Sequence, residues 1–146
     1  MRFREAVTVC IQDYHTFSGR ACRSEYWWFI LFCVAGSVLL SGVDAVLFGE
    51  DMLLGLNGLF AMLTFLPQIA VAWRRLHDTG RPGWYNFLPA IPLVPMLSAG
   101  RGAGGVSPAI ASVLLIATIL LALLILVWLV QRGQPGPNRF GPVPPS

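Results

Sequence analysis

The sequence contains no lysine and little charge of any kind. Charged residues make up 12% of its 146 residues, and all ten basic residues are arginine. A soluble domain usually carries about a quarter charged residues, so this chain lacks the polar side chains needed to cover a water-exposed surface. Its 55% hydrophobic content and mean hydropathy of +0.67 indicate that its solvent is lipid. The length allows one membrane domain and no separate soluble module.

Cysteine is also scarce, and its spacing matches no common metal or disulfide framework. Cys10, Cys22 and Cys33 form neither a CxxC pair nor a Cys/His ligand pattern. We therefore predict no metal site and no cofactor. The net charge of +3 could suggest nucleic acid, but the arginines lie beside apolar runs rather than in one soluble basic patch. We predict no nucleic-acid partner.

Long apolar runs predict four membrane segments. A hydrocarbon core of about 30 Å needs about 20 apolar helical residues, and residues 26–48, 52–73 and 109–130 supply that length. Residues 84–99 are apolar but shorter, with prolines at 89, 92 and 95, so they form either a broken span or a re-entrant segment. Because no cleavable signal sequence precedes Tyr26, the first segment is expected to be a retained anchor. The predicted fold class is an all-α, polytopic membrane helical bundle.

The two ends of the chain differ from these segments. In residues 3–17, apolar side chains recur at three- and four-residue steps, a pattern typical of an amphipathic helix. That helix is too short and polar to span, so it lies on the membrane surface or packs against the other helices. Residues 131–146 form a tail rich in glycine and proline, with no means of forming a core of its own.

The distribution of arginine predicts the orientation. Nine of the ten arginines lie in residues 1–25, 74–83 and 131–146, which four crossings would place on one side. Arg101 alone lies on the other side, with Asp44, Glu50 and Asp51. The positive-inside rule therefore predicts that both termini are cytoplasmic. A re-entrant third segment would instead put the tail outside.

The stretch "WRRLHDTGRPGWYNF", residues 73–87, is the most polar part between two apolar segments. His77 beside Asp78 could act as a general base with an orienting partner. However, sequence neighbours do not face each other on a helix, and no motif places a nucleophile nearby. Arg74 and Arg75 at a cytoplasmic helix end would complement the helix dipole and contact headgroup phosphates. The pattern favours the structural interpretation over a catalytic one.

A second polar cluster, "GRACRSEYW", leads into the first apolar segment. Arg20 and Arg23 could clamp a phosphate group. Glu25 lies at the mouth of the segment, where an ion pair with Arg74 or Arg75 would offset the cost of burying its charge. We predict this pair between the two polar stretches.

Polar residues inside the segments are few. Asp44 lies near a segment end, while Asn57 and Gln68 are neutral. Hydrogen bonds between helices, worth about 0.5–2 kcal/mol each, account for them, although a polar transport pathway stays open as an alternative.

Three motifs in order give the chain a family likeness: "FSGRACRSEYWWF" at 17–29, "WRRLHDTGRPGWYNFLPAIP" at 73–92 and "GQPGPNRFGP" at 133–142. The chain closely resembles the domain of unknown function 805 family of small bacterial inner-membrane proteins. The resemblance implies a helical bundle in the bacterial cytoplasmic membrane and no established activity. Residues 97–108 look like an insertion relative to the family pattern. Since the tail carries one of the motifs, we expect it to fold back over the arginine-rich stretches, with Arg139 and Phe140 making the contacts.

The sequence therefore predicts a non-enzymatic, multi-pass inner-membrane protein that binds anionic phospholipid or a partner membrane protein, including a second copy of itself. The alternative is a small oligomeric transporter or channel. The residues predicted to form the binding face are Arg20, Arg23, Glu25, Arg74, Arg75, His77, Asp78, Arg139 and Phe140.

Overall fold

A computed structural model describes residues 1–47, 55–99 and 107–145. These residues form five α-helices and one 3₁₀ turn, and within those ranges the chain has no β-strand beyond one isolated bridge between Asn138 and Gly141. The predicted all-α class is confirmed. In chain order the elements are α1 (Phe3–Gln12), α2 (Arg23–Leu47), α3 (Leu56–Asp78), the 3₁₀ turn (Gly83–Phe87), α4 (Ala90–Ala99) and α5 (Pro108–Val130).

Three of the helices are long and apolar enough to cross a membrane. α2, α3 and α5 have 25, 23 and 23 residues, and at 1.5 Å per residue each extends about 35 Å. Many of their large apolar side chains are exposed, with Val46 at 85% and Leu39 at 70%. Exposing so large an apolar surface to water is unfavourable, so these side chains face lipid.

The third predicted segment is broken, as the prolines indicate. Its residues form the 3₁₀ turn and then α4, whose ten residues extend only about 15 Å, half the thickness of the hydrocarbon core. Gly83 begins the turn against the indole of Trp73, where any side chain would collide with that ring. α4 then packs against α5. Four crossings therefore stay a prediction, and Glu50, Asp51 and Arg101, which the predicted orientation puts on the other side, lie outside the described residues.

The helices do not begin and end where the predicted segments do. α3 continues to Asp78 instead of ending at residue 73, because Arg75 and Asp78 pair within the helix at i and i+3. α2 likewise begins at Arg23 rather than residue 26. α1 ends at Gln12, well before residue 17, since the N–H of Asp13 caps it by donating to the Val9 carbonyl.

The packed core lies at one end of the bundle. It combines residues of α1, of the connector before α2, of the first part of α2, of the last part of α3 and of the last turns of α5: Cys10, Ala21, Tyr26, Phe29, Cys33, Val71, Ala72, Leu76, Ile125 and Leu129. α1 joins it by burying Ala6 and Cys10 and by contacting both α2 and α3. We call this region, together with the tail at residues 131–145, the arginine-rich end. An interfacial position for α1 stays a prediction.

Candidate functional site

The arginine-rich end is organised around one buried carboxylate. Asp78, the last residue of α3, accepts a hydrogen bond from Arg20 Nε at 2.9 Å and pairs with Arg20 Nη2 at 2.8 Å, both through Oδ1. Its Oδ2 accepts from Arg75 Nη1. All three side chains are buried. One carboxylate thus pairs with two guanidinium groups that lie away from solvent, and the cluster keeps a net positive charge.

Arg75 also reaches main-chain carbonyls of two other segments. Its Nε donates to the Leu129 carbonyl at 3.0 Å, its Nη2 donates to the Gln131 carbonyl, and its Nη1 lies 3.5 Å from the Ala21 carbonyl. The last carbonyls of a helix have no partner within the helix and carry its negative partial charge. Arg75, which is fully buried, supplies that partner for α5 and so joins α3 to α5.

The tail docks on this cluster through its backbone. Arg20 donates to the carbonyls of Gln134 and Gly136, each at 2.7 Å, and the N–H of Gln134 donates to the Asp78 carbonyl at 2.9 Å. Gly133 passes so close to the Asp78 carboxylate that any side chain there would collide with it. The predicted fold-back of the tail is confirmed.

Side chains of the tail contact the end of α3. The Phe140 ring stacks on His77 with centroids 3.9 Å apart and an angle of 5° between the planes. The Arg139 guanidinium lies 4.7 Å from the Phe140 centroid and 3.5 Å from the Gly80 carbonyl, and the Asn138 amide donates to the His77 carbonyl at 2.9 Å. His77 Nδ1 is 3.0 Å from the Gly19 carbonyl. Arg139 and Phe140 therefore make the contacts expected of them.

A second buried ion pair joins α1, α2 and α3. Arg74 Nη2 lies 2.9 Å from Glu25 Oε1, at ion-pair distance but without the alignment of a hydrogen bond. Arg74 Nη1 donates to Asp13 Oδ2 at 3.2 Å. The predicted pair of Glu25 is confirmed, and of the two candidate partners it is Arg74, because Arg75 points to Asp78.

Cys10 lies next to this pair, with Sγ 4.0 Å from Glu25 Oε1. Burial, followed by the negative charge of Glu25, raises the pKa of the Cys10 thiol to about 12. The thiol stays neutral at physiological pH and is a poor nucleophile or metal ligand. In residues 1–47, 55–99 and 107–145, no three His, Cys, Asp or Glu side chains come together as a metal site would require.

Comparison with known sequences assigns this arrangement to a family. The profile of a protein family of unknown function, DUF805, matches residues 14–142, which include every contact of the tail and of Asp78 described above. The chain belongs to the DUF805 family.

Curated relatives agree with that assignment. Inner membrane protein YhaH of Escherichia coli strain K12 is 35% identical over 139 residues, covering 92% of this chain and 91% of YhaH. Inner membrane protein YhaI of the same strain is 31% identical over 131 residues, covering 90% and 87%. The uncharacterized protein YiiR is 30% identical over 130 residues, covering 86% and 84%. No solved structure matches the chain significantly.

Two exposed arginines beside the tail have guanidinium groups without a partner among the described residues. They are Arg23, at the start of α2, and Arg132, just after α5, whose side chains form no ion pair or hydrogen bond with any described residue. Both line a cavity of about 230 Å³ whose walls also include Gln134 of the tail and the paired side chains of Arg20 and Asp78. Arg23 also lines an adjoining cavity of about 540 Å³, whose other walls include Trp27, Trp28 and Val130.

The nine residues predicted for the binding face fall into two groups, those whose side chains already have partners among the described residues and those whose side chains have none there. All lie at the arginine-rich end, but most of their charges already contact one another or the tail, and Arg23 alone has no such contact. From the sequence, Arg132 indicates only the orientation of the chain. The signal for its role was available, because it follows the last apolar segment as directly as Arg23 precedes the first.

The opposite end of the DUF805 bundle holds one polar feature. Asp44 on α2 accepts hydrogen bonds from the N–H groups of Leu56 and Asn57, each at 2.8 Å, and so caps α3 from a neighbouring helix. The Gln68 amide donates to Thr64 Oγ1 at 3.2 Å within α3. The first contact joins α2 to α3, and the second lies within α3.

Proposed function

We propose that this protein binds anionic phospholipid at the cytoplasmic surface of the bacterial inner membrane, through Arg23 and Arg132. The observation that carries the proposal is that these two exposed guanidinium groups line one cavity and have no protein partner. Two of the relatives are named inner membrane proteins, which supports that membrane as the location.

The chemistry of the cleft suits a phospholipid. A guanidinium group donates two parallel hydrogen bonds to a phosphate and stays charged at any physiological pH. Below Arg23 the adjoining cavity is walled by Trp27, Trp28 and Val130, so an acyl chain could follow apolar surface while its phosphate meets the arginines. Tryptophan is also the residue that favours the headgroup level of a bilayer.

Three buried arginines have a structural role in this proposal. Arg20, Arg74 and Arg75 are buried and paired with carboxylates, so they hold the loops and the tail in place instead of contacting lipid. His77 is enclosed by Phe140 and bonded to Gly19, which favours a binding protein over an enzyme.

The proposal includes four membrane segments with both termini in the cytoplasm. Contacts of Arg75 bring the start of α2, the end of α3 and the end of α5 to the same end of the bundle. A chain that leaves this end after α3 and returns to it along α5 has to cross back in between, which supports α4 and the 3₁₀ turn as part of a fourth crossing. α1 then lies at the same surface, with Phe3 against Trp28 at 5.8 Å between centroids.

Native mass spectrometry of the purified protein titrated with cardiolipin tests the proposal. Each arginine near an anionic surface contributes about 1 kcal/mol, so Arg23→Gln with Arg132→Gln should weaken binding roughly 30-fold. The matched control is Arg2→Gln with Arg4→Gln, which removes the same charge from the same end. Equal weakening in both double variants would mean that only overall charge matters, and the cleft would be refuted as the site.

A further inference from the structure

A separate cavity of about 200 Å³ lies deeper in the bundle, between α2, α3 and the 3₁₀ turn. Tyr26 of α2, Gln68 of α3 and Asn86 of the turn supply its polar wall, and Ile30, Ile69 and Ala72 supply much of the rest. None of its lining residues belongs to the cleft of Arg23 and Arg132.

The polar groups of this cavity have unused hydrogen-bonding capacity. Tyr26 is 8% exposed as a residue, and its hydroxyl oxygen is accessible and has no hydrogen-bond partner among the described residues. The Asn86 side chain makes no hydrogen bond with them either, and Gln68 contacts Thr64 and the Cys33 thiol but has no partner for its carbonyl oxygen among the described residues. Side chains that lie in a membrane helix normally find partners, because unpaired polar groups are unfavourable away from water.

The walls also restrict what could fill the cavity. No charged side chain lines it, so a charged ligand would find no counter-ion. One wall is Phe65, which is 64% exposed on the lipid-facing surface of α3. A molecule dissolved in the bilayer could therefore enter sideways. The volume is below the 300–1,000 Å³ typical of drug-sized ligands, so the cavity suits a headgroup with its tail left in the lipid.

We propose that this cavity binds the neutral, carbonyl-bearing head of a membrane-soluble molecule. The Tyr26 hydroxyl and the Asn86 amide donate hydrogen bonds to its carbonyl oxygens, while the Gln68 carbonyl oxygen accepts from a hydroxyl if the head carries one. Two kinds of bilayer molecule offer this chemistry: the ring of a quinone, and the ester carbonyls of a diacylglycerol. The site is independent of the anionic-lipid cleft, which recognises charge.

Equilibrium binding of the full-length protein in phosphatidylcholine nanodiscs tests this inference, with decylubiquinone and dioctanoylglycerol as the two probes. We expect saturable binding of one probe, and about a tenfold loss of affinity in Tyr26→Phe and in Asn86→Leu. Tyr85→Phe is the matched control, because that ring packs on Trp128 at 5.4 Å outside the cavity. Thermal unfolding of each variant verifies that the fold is intact.

The identity of the probe that binds assigns the source of the carbonyl group. The inference is overturned if neither probe binds saturably, which would leave a cavity filled by water, or if binding is the same in Tyr26→Phe, Asn86→Leu and the control. Loss of cardiolipin binding in the Arg23 and Arg132 variants leaves this result unaffected, so the two proposals fail separately.

Discussion

The two ends of the bundle are held together in different ways. At the arginine-rich end, buried guanidinium groups join three helices and the tail through Asp78, Glu25 and main-chain carbonyls. At the opposite end, Asp44 alone bonds across helices among the described residues, and apolar side chains such as Val46 are exposed to lipid. Lipid is as apolar as these side chains, so their burial would gain little. Polar contacts therefore determine where a small membrane bundle is firmly packed.

The largest test of this difference is Asp78→Asn. It leaves Arg20 and Arg75 buried without their counter-ion, and breaking a buried pair in this way costs about 3–5 kcal/mol. We expect that loss in unfolding by SDS titration in mixed micelles, together with release of the tail. A variant as stable as the wild type would show that the carbonyl contacts alone hold this end.

The Glu25 and Arg74 pair should show strong energetic coupling. In a double-mutant cycle of Glu25→Gln and Arg74→Gln, we expect a coupling energy of about 1–3 kcal/mol. The matched cycle of Glu25→Gln and Arg75→Gln should give a value near zero, because Arg75 contacts Asp78 instead. Both cycles are read from the same SDS titration, and equal coupling in the two would contradict the assigned partner.

Phe140→Ala removes the ring that stacks on His77. Stacked aromatic pairs contribute about 0.5–1.5 kcal/mol beyond the area they bury, so the tail should detach more often. The measurement is the rate of trypsin cleavage after Arg139 in inverted membrane vesicles, which should rise about tenfold at the upper end of that range. Phe3→Ala, on α1, is the control and should leave the rate unchanged. An unchanged rate in Phe140→Ala would mean that the backbone bonds of residues 134–138 suffice.

The smallest effect is expected at the opposite end. Asp44→Ala removes the cap of α3, a change that costs about 1 kcal/mol. Hydrogen exchange should increase at Leu56 and Asn57 while the Asp78 cluster keeps its protection. A loss of stability as large as that of Asp78→Asn would mean that both ends of the bundle depend equally on their polar contacts.

Much of this fold could be predicted from hydropathy. The ion pair between Glu25 and an arginine of α3 could be predicted because Glu25 lies at the start of an apolar segment, where its charge needs a partner. The partners of Arg75 could not, because main-chain carbonyls such as those of Leu129 and Gln131 leave no trace in the pattern of side chains. For the same reason the sequence did not distinguish arginines bonded inside the protein from Arg23, which is free. All ten carry the same charge, and only the packing decides which can meet a ligand.

The contacts of Arg20 and Arg75 with residues 129–136 also impose an order on assembly. The ribosome produces α2 and α3 well before it produces those residues, so for that interval the donors of both arginines lack their carbonyl acceptors. The hairpin of α2 and α3 therefore inserts with these hydrogen bonds unformed. The guanidinium groups of Arg20 and Arg75 find their carbonyl acceptors only after α5 and the tail have been synthesised. Any factor that recognises unfinished membrane proteins would therefore find its signal at the arginine-rich end.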